Sequence, residues 1–165
     1  MPRSAEAELD YIDLHILSEL QTDGRMTNVE LAQRVGLSAP PCLRRVRRLE
    51  ELGHIRGYHA ELDPEPLGWQ ITFFALVGLE MQKEAVLAAF ERTVSGWPEV
   101  RECHMIRGGG DFLLRLVARD TQHEKELTSR LTEAKHVLRV QTMPTIRTAC
   151  DRPGVPVDQE PSRPG

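Results

Sequence analysis

The chain has no long apolar run, and that absence bounds it first. Its longest, Ile71 to Leu79, is interrupted by Thr72 and falls well short of the roughly 20 apolar residues a spanning helix needs. The stretch Met1 to Asp10 is acidic and polar and lacks the apolar core of a signal peptide. No membrane association is expected. Cysteine is scarce: Cys42, Cys103 and Cys150 are odd in number and far apart, so they suggest neither a disulfide framework nor a CxxC metal site. A reducing, cytoplasmic setting is the expectation. No nucleophile elbow, Walker phosphate loop or carboxylate pair stands out. His15, His54, His59, His123 and His136 show no HxxxH spacing. Cys103 and His104 are adjacent, but neighbours on a strand point to opposite faces and do not readily share one ion. Neither a metal site nor an enzyme is expected.

What remains is a globular chain. Its 165 residues are 40% hydrophobic and 28% charged, enough for one ordinary domain or two small ones. The net charge of −4 excludes a uniformly basic nucleic-acid binder. The charge is segregated, however. From Arg25 to Tyr58, seven arginines stand against three glutamates, a net of +4, which leaves −8 on the rest. All three lysines lie outside this segment. Its positive charge is therefore entirely arginine, whose planar fork suits phosphates and guanine edges. A basic segment on an acidic body points to a nucleic-acid-reading module joined to something else.

The apolar residues of that region recur at helical spacing. Leu9, Ile12, Ile16, Leu17 and Leu20 predict a first helix over Leu9–Gln21, ended by Asp23 and Gly24. Thr27-Asn28-Val29-Glu30 is a capping box for a second helix, whose Leu31, Ala32 and Val35 face inward and which stops at Gly36. Ser38 opens a third helix with Cys42, Val46 and Leu49 inside and arginines outside, closed by Gly53. Arg47 and Glu51 are spaced for a local ion pair, whereas Arg44 and Arg48 share a face with no acid between them. The short turn Gly36-Leu37-Ser38 before a basic helix predicts a helix-turn-helix rather than a plain three-helix bundle. The alternating run Ile55–Glu61 predicts a strand, which makes the motif winged. Ser38 is unusual as an N-cap, because Pro40 and Pro41 occupy the positions whose amides it would bind and have no N–H. Its hydroxyl is expected to be free for a DNA phosphate.

The run Leu37-Ser38-Ala39-Pro40-Pro41-Cys42-Leu43-Arg44-Arg45-Val46-Arg47-Arg48-Leu49-Glu50 resembles the recognition helix of the leucine- and asparagine-responsive (Lrp/AsnC, feast/famine) regulators. Leu9-Asp10, Glu30-Leu31-Ala32 and Gly53-His54-Ile55-Arg56-Gly57-Tyr58 match the same family, and the resemblance runs on to about residue 150. It implies a DNA-binding set of Ser38, Pro40, Cys42, Arg44, Arg45, Arg47 and Arg48, with Arg44, Arg45 and Arg48 reading or clamping the major groove. It also implies a homodimer, often assembled further to an octamer, on a pseudo-palindromic double-stranded DNA operator.

Asp63-Pro64-Glu65-Pro66-Leu67-Gly68 marks a connector, so we divide the chain into a DNA-binding domain (1–62), a linker (63–69), a second domain (70–150) and a proline-rich tail (151–165) expected to be ordered only in part. Ile71 to Met81 reads as a strand apolar on both parities and therefore buried on both faces, one under helices and the other against a second copy of the chain. Val86 to Val94 predicts a helix, Val100–Ile106 and Phe112–Ala118 strands, Leu127 to Ala134 a helix, and Val137–Thr148 the last strand. The order β-α-β-β-α-β is the ferredoxin-like split motif, so the fold class is α+β. It resembles the effector-sensing domain of the same family.

Gly108-Gly109-Gly110-Asp111 joins the middle strands. As a phosphate cradle it fails, since a hairpin and not a helix follows. As a tight turn it uses glycine's freedom. As a site, Gly108 and Gly110 admit a ligand near the backbone and Asp111 binds an ammonium. The resemblance places the family's small-amino-acid effector at this hairpin, between neighbouring dimers. Asp111 matches the family motif directly, and strand and helix position add Met105, Thr121, Met143, Pro144 and Thr145. Arg107 and Pro144 depart from the family pattern and argue against leucine itself as the effector. Arg107 either grips a carboxylate of the effector or pairs with Asp111 and fills the pocket. No cofactor is expected beyond such an effector. Two other readings compete. One is a tetrapyrrole (sirohaem) decarboxylase of similar architecture, using His104 and Arg107. The other is a small-molecule-binding protein with an idle DNA domain, against which the capping box and the basic helix argue.

Overall fold

The computed structural model describes residues 9–157. They form two compact units: one up to Glu61 rejoined by the chain from Asp151, the other Leu62–Cys150.

The first unit is helical. Helix α1, Tyr11–Thr22, starts at Asp10, whose side chain accepts the Asp13 N–H while the Asp13 carboxylate accepts the Asp10 N–H. Helix α2, Asn28–Arg34, carries the expected capping box, with Thr27 as N-cap and Glu30 reaching back. The Glu30 carboxyl lies below its ordinary value because the Thr27 hydroxyl, and then the Thr27 N–H, donate to it. Helix α3, Ala39–Glu51, begins at Ser38. Both α2 and α3 end on a left-handed glycine, Gly36 at φ 72° and Gly53 at φ 77°. In each case the next N–H reaches back over the last turn, Leu37 to the Ala32 carbonyl and His54 to the Leu49 carbonyl. Ile16, Leu31, Ala32, Val35, Cys42 and Leu49 make the core.

The wing strand expected over Ile55–Glu61 is not formed. Ile55 alone packs on the core, and among the described residues of the unit no neighbouring strand completes a ladder with the segment. Tyr58 instead donates its hydroxyl to Glu50 at 3.0 Å. In the tail, the Gln21 side-chain amide donates to the carbonyls of Pro153 and Val155. Residues 158–165 of the expected tail lie outside the described residues.

The second unit is a four-stranded antiparallel sheet with two helices. In chain order it runs β1 Ile71–Leu79, α4 Glu84–Ser95, β2 Val100–Met105, β3 Phe112–Ala118, α5 Thr121–Thr132 and β4 Val137–Pro144. The sheet order is β2-β3-β1-β4, the expected split motif. Phe73, Ala75, Val77 and Leu79 are buried with Phe112, Leu114, Leu116 and Ala118 against Leu87, Phe90, Val94, Leu127 and Leu131 of the helices. The opposite parity of β1, including Phe74 and Leu76, is only half-buried. Three strands end earlier than expected, β2 by the single residue Ile106. β1 stops at Leu79, where its pairing with β4 shifts register. β4 stops at Pro144, which has no N–H for the ladder, and Thr145 makes the final bond to the Thr72 carbonyl. Among the described residues, no helix is long and apolar enough to cross a membrane.

Candidate functional site

On α3 the expected N-terminal device is present. Ser38 is exposed and makes no cap hydrogen bond, with Pro40 and Pro41 in the first turn. Pro40, Leu43, Arg44 and Arg47 are exposed along one face, repeating at three and four residues. Arg47 makes no ion pair with Glu51, contrary to the spacing argument, and is exposed with no acidic partner among the described residues.

Three residues of the expected DNA-binding set are placed differently. Cys42 is fully buried in the core and is corrected to a packing residue, and burial pushes its thiol above the ordinary value. Arg45 turns inward, and its Nη1 donates to Asp10 Oδ2 at 2.7 Å and to Asp13 Oδ1 at 2.8 Å. Those hydrogen bonds, Asp13 first, raise the Arg45 guanidinium above its ordinary value. Asp10 feels the reverse. Burial pushes its carboxyl up, but the Asp13 N–H and Arg45 outweigh it and hold it low. Arg48 sits between these cases, with Nη1 3.4 Å from Asp13 Oδ2. The physical reason lies at α1, outside the basic segment Arg25–Tyr58. Asp10, Asp13 and Glu19 meet Arg45, Arg48 and Arg34, so much of the apparent +4 is neutralised at short range. Asp10 and Asp13 carried only a capping signal, since i,i+3 acids at a helix start do not announce that one is buried.

In the second unit, the structure divides the expected effector residues between two ends of the sheet. Met105, Arg107, Gly108, Gly110 and Asp111 lie at the β2–β3 hairpin, where Phe112 pairs with Val77. Met143, Pro144 and Thr145 lie opposite Phe74, Phe73 and Thr72, while Thr121 opens α5 just beyond the end of β3. Val77 and Phe73 are four strand residues apart, about 13 Å. One chain therefore does not bring the two groups into one pocket.

The hairpin itself is tightly made. Asp111 accepts the Leu79 N–H at 2.7 Å and the Gln82 side-chain amide at 2.9 Å. Arg107 is exposed on the hairpin, and the Asp111 oxygens are taken by Leu79 and Gln82 instead of by its guanidinium. Arg139 donates to the Gly109 carbonyl. Gln82 and Arg139 were missed from sequence, because nothing in their spacing ties them to a loop some 30 residues away. Cys103 packs against the core while the adjacent His104 is exposed and bonded to Glu102, as strand alternation requires. Among the described residues, no three His, Cys, Asp or Glu side chains gather as a metal site.

Two family models cover this chain: a winged helix-turn-helix DNA-binding model over residues 9–56 and the Lrp/AsnC ligand-binding domain over residues 72–155. The chain belongs to the Lrp/AsnC family. This family member is 52% identical to the leucine-responsive regulatory protein of Rhizobium meliloti, over 87% of this chain and 93% of that one. It is 47% identical to the Bkd operon transcriptional regulator of Pseudomonas aeruginosa, over 76% and 83% of the respective chains. A transcriptional regulator of Neisseria meningitidis, solved in complex with L-Met, superposes with a TM-score of 0.86 at 34% identity, over 91% of this chain and 97% of that one. An AsnC family regulator from Agrobacterium tumefaciens superposes at 0.85 with 31% identity, over 90% and 97%. The Lrp/AsnC chain described here is thus a DNA-binding transcriptional regulator with a ligand-binding domain, and not an enzyme. The tetrapyrrole-decarboxylase alternative finds no support among these relatives.

Proposed function

We propose that the exposed face of α3 enters the major groove of a pseudo-palindromic operator, with Arg44 and Arg47 meeting bases or phosphates and the Ser38 hydroxyl donating to a phosphate. The observation that carries this reading is the uncapped Ser38 beside two exposed arginines with no partner among the described residues, on one helical face. Pro40 lines the same face. In this reading Arg45 is a packing residue and no longer a base reader.

The ligand is a small amino acid or a related metabolite, bound at the hairpin around Asp111, with Arg107, Gly108, Gly110 and Met105 alongside. The complex of the Neisseria relative with L-Met supports the ligand class. Thr121, Met143, Pro144 and Thr145 join such a site only from a neighbouring subunit, which fits a site between protomers. The half-buried face of the sheet carrying Phe74 and Leu76 pairs with a second copy, and the resulting homodimers assemble further toward an octamer. The protein works in the cytoplasm. We retain the division at residues 62, 69 and 150 as the functional one.

In-vitro selection of genomic DNA fragments by the purified protein, with and without a mixture of amino acids, tests this directly. Recovery of a pseudo-palindromic site, with enrichment altered by amino acids, is the expected outcome. Absence of enrichment at moderate salt from folded protein would overturn the reading.

A further inference from the structure

Asp13 is the one fully buried charged side chain among the described residues. A lone carboxylate is costly to bury, so its partners carry information. It accepts three donors. Arg45 Nη1 reaches Oδ1 at 2.8 Å, and the Asp10 N–H and Arg48 Nη1 reach Oδ2 at 3.2 and 3.4 Å. Both arginines come from α3, while the carboxylate sits on α1.

The two arginines are not equivalent. Arg45 is shared between two carboxylates and its side chain is 28% exposed. Arg48 makes one longer contact and remains 40% exposed. A guanidinium has five N–H donors in a rigid fork, so one edge of Arg48 faces Asp13 while others are open to solvent. We propose that Asp13 is a positioning residue for DNA recognition: it aims Arg48 at a backbone phosphate, with Arg45 as the strut that holds the buried carboxylate in place. A phosphate arriving at the open edge completes a carboxylate–guanidinium–phosphate line. The side chain then pays less ordering entropy on binding because its rotamer is already restricted. This rests on the reading that the exposed face of α3 meets DNA.

The test uses the full-length protein, a duplex recovered by selection with the wild type, and a random-sequence duplex of equal length. Affinity for each is followed across a salt series. Arg48→Ala lowers the salt slope by about 0.9 per bound protomer, the signature of one lost phosphate contact. Asp13→Asn, with helix content checked by circular dichroism, lowers it by the same amount although no positive charge has been removed. The double variant lowers it no further, because both changes remove one interaction. Asp10→Asn leaves the slope at the wild-type value, since Asp13 still holds Arg48. If Asp13→Asn does not fold, Arg48→Lys carries the test. An ammonium has three donors but no rigid planar fork, and its flexible stem is not aimed by Asp13, so the slope falls toward that of Arg48→Ala although the charge is kept.

A wild-type slope in Arg48→Ala, in folded Asp13→Asn or in Arg48→Lys would overturn the proposal, as would additive losses in the double variant. Arg44→Ala and Arg47→Ala in the same assay separate the two readings. If they lower the slope and Arg48→Ala does not, only the positioning role fails. If none of the three lowers either the affinity or the slope while DNA is still bound, the α3 face itself is wrong.

Discussion

The Asp111 carboxylate accepts the backbone N–H of Leu79, 32 positions earlier in the chain, at 2.7 Å. That bond fastens the β2–β3 hairpin to the end of β1, and the Gln82 amide on the other oxygen extends the clasp. Asp111 is thus structural whether or not a ligand adds to it. Asp111→Ala is expected to cost about 1–3 kcal/mol, because it strands a donor and removes a charged acceptor. Asp111→Asn keeps an acceptor for Leu79 and costs less. Calorimetric unfolding checks both. The amino-acid dependence of DNA selection is expected to disappear in Asp111→Ala even at temperatures where the variant stays folded.

Gly110 is there for space. A Cβ on it would sit 2.9 Å from Leu76 Cδ1 and 3.0 Å from the Val77 carbonyl oxygen. The leucine can rotate away, but the carbonyl belongs to β1 and cannot. Gly110→Ala is therefore expected to destabilise the second unit by about 1–3 kcal/mol. Adding Leu76→Ala is expected to relieve only part of that. Denaturant midpoints of the single and double variants distinguish the two clashes.

Ser38, Arg44 and Arg47 are predicted to matter for DNA and not for stability, since all three are exposed and, among the described residues, Ser38 makes no cap hydrogen bond and neither arginine has an acidic partner. Ser38→Ala is expected to weaken binding by about 1 kcal/mol, roughly fivefold, with an unchanged melting temperature. Arg44→Ala or Arg47→Ala costs about 1–3 kcal/mol if the side chain grips a base, and mainly lowers the salt slope if it grips a phosphate. Fluorescence anisotropy at several salt concentrations, beside thermal melts, reads both quantities. Unchanged affinity and salt slope in Ser38→Ala would remove its phosphate contact from the account.

Tyr58 is predicted to titrate high. Burial, and then its hydrogen bond to the Glu50 carboxylate, push the phenol up from 10.0 to about 12. A raised folded value means that the folded state holds the proton more tightly than the unfolded chain. The associated stability is complete below pH 10 and is lost as the pH rises through about 12. In a Tyr11→Phe background, where Tyr58 is the last tyrosine, the tyrosinate absorbance is expected to rise with a midpoint near 12. Glu50→Gln is expected to move that midpoint down. A midpoint at the ordinary phenol value with Glu50 intact would contradict the contact.

Local chemistry by itself determined a great deal of this protein. Thr27 and Glu30 specify a helix start because both bonds of a capping box lie within four residues. Gly36 and Gly53 end their helices because the chain needs φ > 0 there. Pro40 and Pro41 free Ser38 because they lack amides. The split β-α-β-β-α-β order was legible as well, whereas β1, expected to be buried on both faces, alternates between buried and half-buried positions. What the tertiary structure alone decided is which charges meet. The seven arginines of Arg25–Tyr58 look uniformly available in the sequence, yet helix packing sets Asp13 of α1 against Arg45 and Arg48 of α3, more than 30 residues on. Likewise, only antiparallel pairing separates the Asp111 hairpin from Met143 and Thr145 by roughly 10 and 17 Å along the sheet. The wing shows the same limit from the other side, since a strand's alternation is local but its partner is not. Capping and turn preferences act within a few bonds, whereas Coulomb and ladder partners are chosen by the fold.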